Sequence, residues 1–136
     1  MKSRNITTTR TDVLPNTERT PNEVVTILLE ALRCNDEPYE NHGMEVFYRF
    51  ASPSSIWYEY DIDRVASYIK SSKYSVLTMW HAINYPRPLD LSIDGKRAYQ
   101  LLRLRNKLRN CWEVVSFTLS KHDNCWLVDS VLIKLK

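Results

Sequence analysis

The chain has 136 residues, a net charge of +3 and 43% hydrophobic side chains, which suits one globular domain that buries a core without metals or cross-links. Four Trp, eight Tyr and three Phe argue against disorder, while the only glycines are Gly43 and Gly95. Two isolated glycines exclude a Gly-rich phosphate loop, and with it the Rossmann and P-loop fingerprints. No apolar run is long enough to cross a bilayer.

Charge is unevenly distributed. Residues 1–68 hold 7 basic and 11 acidic side chains, whereas residues 69–136 hold 12 basic and 5 acidic ones. Such asymmetry marks either an anionic partner or two solvated faces of one domain. Cys34, Cys111 and Cys125 lack metal-ligand or redox spacing, and they read as reduced, mostly buried thiols of an intracellular, cytoplasmic protein. No metal and no cofactor is expected.

Met1 to Arg19 is polar, with five threonines and no hydrophobic period, and reads as a disordered segment ahead of one domain over 20–136. Lys2, Arg4 and Arg10 precede any acid, which is compatible with a transit peptide, although a plain mobile terminus is preferred. Asn5-Ile6-Thr7 is a formal glycosylation sequon, discounted without a secretory signal.

Helix begins at Thr20, an N-cap followed by Pro21 and by Glu23 as the far side of a capping box. Val24, Val25, Leu28, Leu29 and Leu32 recur at helical spacing. Asn35-Asp36-Glu37-Pro38 ends this helix, because Pro38 disfavours helix at Glu37. Gly43 allows a tight turn before a short second helix carrying Val46, Phe47 and Phe50, which Ser52-Pro53 stops. A third helix runs from about Asp61 to Ser71 and turns Ile62, Val65, Ala66 and Ile69 inward, with acids at its start and lysines at its end.

From Tyr74 the period becomes two. Strands are expected near 75–85, 88–93, 96–106, 111–121 and 125–135, with Asp94-Gly95 as a hairpin signal. Helices followed by consecutive antiparallel strands make an α+β domain with helices against one sheet face.

The order of elements resembles the nuclear transport factor 2-like superfamily, in which N-terminal helices pack on the concave face of a curved antiparallel sheet, the cystatin-like cone. Asn35-Asp36-x-Pro38, His42-Gly43-Met44 and Phe50-Ala51-Ser52-Pro53 are similar to one of its domain families, of unassigned function, in bacteria, algae and plants. So are Tyr74-x-x-Leu77 with His81, and Trp126-x-x-Asp129-x-Val131. The resemblance implies a pocket inside the cone, an apolar small-molecule ligand and a homodimer through the sheet. It supplies no catalytic residues. Ile56-Trp57-Tyr58-Glu59-Tyr60 and the basic hairpin near 103–109 depart from the pattern and would reshape a pocket rim or a partner surface.

Strand parity then nominates the lining. Odd positions of 75–85, even positions of 96–105 and odd positions of 111–120 and 125–135 are the apolar sets. If they share a face, His81, Gln100, Glu113 and Asp129 converge among Met79, Phe117 and their neighbours. Tyr39, His42, Phe47 and Tyr74 complete the expected ligand-binding set. His81 with Asp129 or Glu113 would then serve proton-transfer chemistry in an isomerase, dehydratase or hydrolase. The blander reading makes His81 a hydrogen-bonded core histidine, the carboxylates rim, cap or ion-pair groups, and His122 a surface residue. A single bulge would invert the parity. The favoured reading is therefore a non-enzymatic ligand-binding or interaction domain.

A third alternative lies on the opposite parity. Arg97, Arg103, Arg105, Lys107 and Arg109 would form a basic stripe, ~20 Å long over 103–109 at ~6.6–7 Å per same-face step. With Tyr99 beside it, this stripe would meet nucleic acid or an acidic protein surface.

Overall fold

A computed structural model describes residues 13–134. Four helices and a five-stranded antiparallel sheet make up this part of the chain: α1 (Pro21–Arg33), α2 (His42–Arg49), α3 (Ile62–Ser71), α4 (Val76–Met79), β1 (Trp80–Asn84), β2 (Asp90–Leu91), β3 (Arg97–Asn106), β4 (Trp112–His122) and β5 (Cys125–Lys134). Short 3-10 turns occupy Ile56–Glu59 and Lys73–Ser75. No described helix is long and apolar enough to cross a membrane. Most of the segment expected to be disordered, with the Asn5 sequon, falls outside the described residues, as does Leu135. Residues 13–19 are placed, with Val13 against the core and its carbonyl accepting from Arg49 Nη1.

The first helix follows its sequence signals. Thr20 Oγ1 accepts from Glu23 N at 3.2 Å and Thr20 N donates to Glu23 Oε1 at 2.9 Å, which satisfies two end groups reciprocally. Its apolar stripe, Val24, Val25, Leu28, Leu29 and Leu32, is fully buried. Asp61 caps α3 by accepting from Arg64 N at 2.9 Å.

The link from α1 to α2 is built on Asn35. Asn35 Oδ1 accepts from Met44 N at 2.9 Å and its carbonyl accepts from Gly43 N at 2.9 Å, so one residue takes two orphan donors of α2. Its Nδ2 donates to Asn41 Oδ1 at 2.9 Å, while Asp36 Oδ1 accepts from Asn41 N, holding Asn41 at a left-handed φ of 64°. Gly43 is required for proximity and not for the turn. A Cβ there would stand 2.1 Å from the Ala31 carbonyl oxygen and 2.9 Å from Asn35 Cα.

The sheet order is β1-β3-β4-β5, with β2 also pairing β3. Even positions of β3 (Ala98, Gln100, Leu102, Leu104) and odd positions of β4 (Glu113, Val115, Phe117, Leu119) are buried, as parity predicts. With α1, α2 and α3 the apolar members of these sets form one hydrophobic cluster that includes Phe47, Phe50 and Trp57.

The expected strand at 75–85 is a correction. Residues 73–79 are helical and only 80–84 is strand. Ser72 Oγ accepts from Tyr74 N and Thr78 Oγ1 donates back to the Ser75 carbonyl, local bonds that favour turns over a ladder. Val76 and Leu77 are both fully buried, which suits a short helix turned into the core better than a strand with one solvated face. Asp94-Gly95 does sit in the β2–β3 turn, with Gly95 at φ 73°, but the loop is wider than two residues and closes through Ser92 N to Arg97 O. The expected strand at 88–93 shrinks to two residues.

Gly43→Ala places its methyl against backbone and separates α1 from α2. Overpacking costs about 1–3 kcal/mol, and urea denaturation should show a loss at or above the top of that range.

Candidate functional site

The residues expected to meet inside the cone do not meet. Both catalytic candidates outside β4 are bulged. Trp80 pairs with Asn106 and Ala82 with Arg105, so His81 is the extra residue of β1 and is exposed. Thr118 pairs with Ser130 and Leu119 with Val128, so Asp129 is the extra residue of β5. The bulge inverts the parity ahead of it: Trp126 and Val128 point inward, then Val131 and Ile133, while Leu127 is only half-buried. Of the three catalytic candidates Glu113 alone is interior, 1% exposed, and lies five residues along β4 from Thr118, roughly 17 Å at ~3.4 Å per residue.

Asp129 works at the bulge. Its Oδ1 accepts from Ser52 Oγ at 2.5 Å and from Ser120 Oγ at 2.8 Å, and Ser120 Oγ is 2.8 Å from His122 Nε2. Because the single Ser120 proton goes to Asp129, His122 is assigned as donor through Nε2. His122, expected to be only surface, therefore joins this network. The order Asp–Ser–His leaves the hydroxyl in the middle, whereas nucleophile activation needs the imidazole there. The group instead fastens the 50–52 segment to β5, alongside Ser52 N to Val128 O at 2.9 Å and Val128 N to Phe50 O at 2.7 Å.

Glu113 holds a turn. Its Oε2 accepts from Asn106 Nδ2 at 2.7 Å, and Asn106 Oδ1 accepts from Leu108 N and Arg109 N. Glu113 Oε1 has no partner among the described residues.

The expected ligand set is dispersed. Phe47 and Phe117 are fully buried in the core, and Tyr74 is buried, with its hydroxyl donating to the Val131 carbonyl at 3.0 Å. Gln100 is buried and donates to Arg87 O and Leu101 O, beside an open cleft of about 490 Å³ between α1 and residues 85–89. Met79 borders a different open cleft with Arg33 and Lys70. Tyr39 is exposed and donates to Glu45 Oε1 at 2.6 Å, with its ring edge-on to buried His42 at 5.0 Å. Tyr39 and His42 thus belong to the Asn35 loop and the start of α2. The cysteines are free, and Cys34 is exposed, contrary to expectation. Among the described residues no three His, Cys, Asp or Glu side chains could together hold a metal ion.

A concave apolar site does exist, in the bulky stretch at 56–60 and the helix that follows it. Ile56, Trp57, Tyr60, Arg64, Val65 and Tyr68 enclose about 330 Å³ between the 3-10 turn and α3. Trp57 and Val65 are buried and form its floor, while Ile56, Tyr60 and Tyr68 are 66%, 44% and 50% exposed. Ser55 fixes the turn by accepting from Trp57 N at 3.0 Å. Trp57 packs edge-on to Phe47 and Tyr74 and tilted to Tyr68, at centroid distances of 5.7, 5.4 and 5.8 Å, so the floor is rigid. The Arg64 guanidinium lies 5.8 Å from the Tyr60 ring. Sequence reasoning registered these bulky residues but not the groove, because a 3-10 turn leaves no periodic signal.

Comparison with protein-family models, curated proteins and solved structures finds no match for this chain.

Asp129→Ala leaves the fully buried Ser52 hydroxyl without its acceptor, and denaturant titration should show a loss of about 1–3 kcal/mol, mostly restored in Asp129→Asn. Burial raises the Tyr74 phenol above its ordinary value of 10.0, and Tyr68 adds to the rise. The folded state holds this proton more tightly than the unfolded chain, so the associated stability is complete below pH 10 and lost as pH rises through the folded value. Tyr74→Phe should lower stability at neutral pH by about 1 kcal/mol and flatten the decline above pH 10.

Proposed function

We propose that the protein is a non-enzymatic binding domain of the cone-shaped, nuclear transport factor 2-like type, with its ligand site in the aromatic groove between the 3-10 turn and α3. The order of elements supports the cone: helices first, then antiparallel strands that take the helices on one face, with bulges at His81 and Asp129 that bend a sheet. The catalytic alternative loses its support with the separation of His81, Glu113 and Asp129.

One observation carries the binding reading: Ile56, Tyr60 and Tyr68 stay exposed around a rigid floor of Trp57 and Val65. Contiguous apolar surface of this kind is characteristic of binding sites, and the enclosed volume reaches the small end of known ligand pockets. A tyrosine presents roughly 150–250 Å², so half of one recovers about 2–3 kcal/mol at ~25 cal/mol/Å², before the costs of association. The ligand that fits is a flat, apolar small molecule with one anionic or acceptor group, which Arg64 and the two phenols meet at the rim.

The probe for this reading is anilinonaphthalene sulfonate, a flat apolar anion, titrated by fluorescence against the folded protein. We expect saturable binding, weakened at least about twofold by Tyr60→Ala or Tyr68→Ala, since one ring contact is worth ~0.5–1.5 kcal/mol before the lost area is added. Equal binding by the double variant would place the probe elsewhere and remove the groove as the site.

A further inference from the structure

The sheet face turned away from the helices carries a second constellation. Arg97, Tyr99, Leu101, Arg103 and Arg105 alternate with the buried positions of β3 and so project from this outer face. Across the ladder, Arg105 pairs with Trp112, and Arg103 pairs with Val114, which in turn pairs with Lys134. Tyr99 is 41% exposed, and the Arg105 guanidinium lies 5.6 Å from the Trp112 ring. The face thus offers two aromatic rings among arginines.

These cations have no ion pair among the described residues. Among the described residues the ion pairs within 4.0 Å are Arg33–Glu30 and Arg49–Glu45, both in the helical layer. Arg97, Arg103, Arg105, Lys107, Arg109 and Lys134 have no acidic partner at that distance. Acids at the Arg97 end of the sheet include Asp90, paired with Tyr99, Asp94 within electrostatic reach of Arg97, Asp123 in the β4–β5 turn, and Asp129, whose Oδ1 is taken by two serines. The cationic end is also held in place. Arg105 Nε and Nη2 donate to Asn110 Oδ1 at 3.1 and 2.9 Å, and the turn bearing Lys107 and Arg109 folds around Asn106, which Glu113 anchors from the core. Charges fixed before binding lose little entropy on binding.

We infer that this outer sheet face binds single-stranded nucleic acid, with arginines on the phosphates and Tyr99 and Trp112 as stacking platforms. A polyanion satisfies the unpaired cations, and unstacked bases satisfy the rings. A duplex does not fit as well, because its stacked bases are not free to lie on the two rings. A second copy of this chain is the competing occupant, through Leu101, Val114 and Leu132. A two-fold interface would, however, set the same arginine-bearing patch against itself, and like charges facing each other are unfavourable.

The test is fluorescence anisotropy of the whole chain with a labelled oligouridylate or oligothymidylate of about 15 nucleotides, a duplex of equal length and polyglutamate, starting at about 50 mM salt. Sedimentation of the same samples gives the oligomeric state. We expect tighter binding to the single strands than to duplex or polyglutamate, weakened at least about fivefold by Tyr99→Ala. Arg103→Gln should reduce the salt slope by about 0.7. Tyr60→Ala and Tyr68→Ala should leave this binding unchanged, since the aromatic groove is a separate site. No binding at low salt overturns the inference. So does equal binding of polyglutamate with Tyr99→Ala silent, which indicates an acidic-protein surface, and so does a dimer that excludes the oligonucleotide.

Discussion

The close approach of α2 to α1 at Gly43 is the contact on which the helical layer depends. With no side chain at 43, the Ala31 carbonyl and Asn35 come to the backbone of α2, and Asn35 can satisfy the first amides of that helix from α1's own end. This sets the rotation of α2, which sends Met44, Phe47 and Phe50 into the core. The chain leaves α2 at Phe50 already in register with β5, because Val128 N bonds the Phe50 carbonyl and Ser52 N bonds that of Val128. Asp129 then closes the connection through Ser52. A contact between two helices thereby reaches the sheet bulge.

That arrangement moves function outward. The interior is occupied by Phe47, Phe50, Phe117 and leucines of both layers, so the expected lining is packing. Two surfaces of different chemistry stand out among what is left exposed. The aromatic groove sits in the helical layer, built from the acidic half of the sequence, with Glu59, Asp61 and Asp63 close by in the chain. The outer sheet face comes from the basic half. The charge asymmetry of the sequence is thus the asymmetry of two layers, a helical layer and a sheet whose outer face is cationic.

What was legible in the sequence was whatever has a local cause. Thr20, Pro21 and Glu23 define a helix start through bonds within one turn, and the periods of α1, α3, β3 and β4 are long enough to state their own burial. Residues 75–79 were not legible that way: Val76-Leu77 is a short apolar run, ambiguous between strand and buried helix, and only the serine and threonine bonds around it decide. The site was less legible still. The positions of His81 and Asp129 depend on one extra residue in each of two strands, set by their neighbours across the sheet and by Ser52 from 77 residues away. The stripe at Arg97, Arg103 and Arg105 could be read, because β3 has no bulge of its own, whereas Lys107 and Arg109, expected to continue it, lie in the turn that follows Asn106.

Glu113 shows how interior and surface are coupled. A leucine in its place would bury more apolar area, but a buried polar pair is replaced at little cost only when both partners become apolar together. Such a leucine would leave Asn106 Nδ2 without its acceptor, and Asn106 is the residue on which the Lys107–Asn110 turn folds. The carboxylate is thus retained in the core at the expense of an unpartnered Oε1, and what it secures is the geometry of a turn outside. A residue that is 1% exposed therefore fixes where the cationic end of the outer face is displayed.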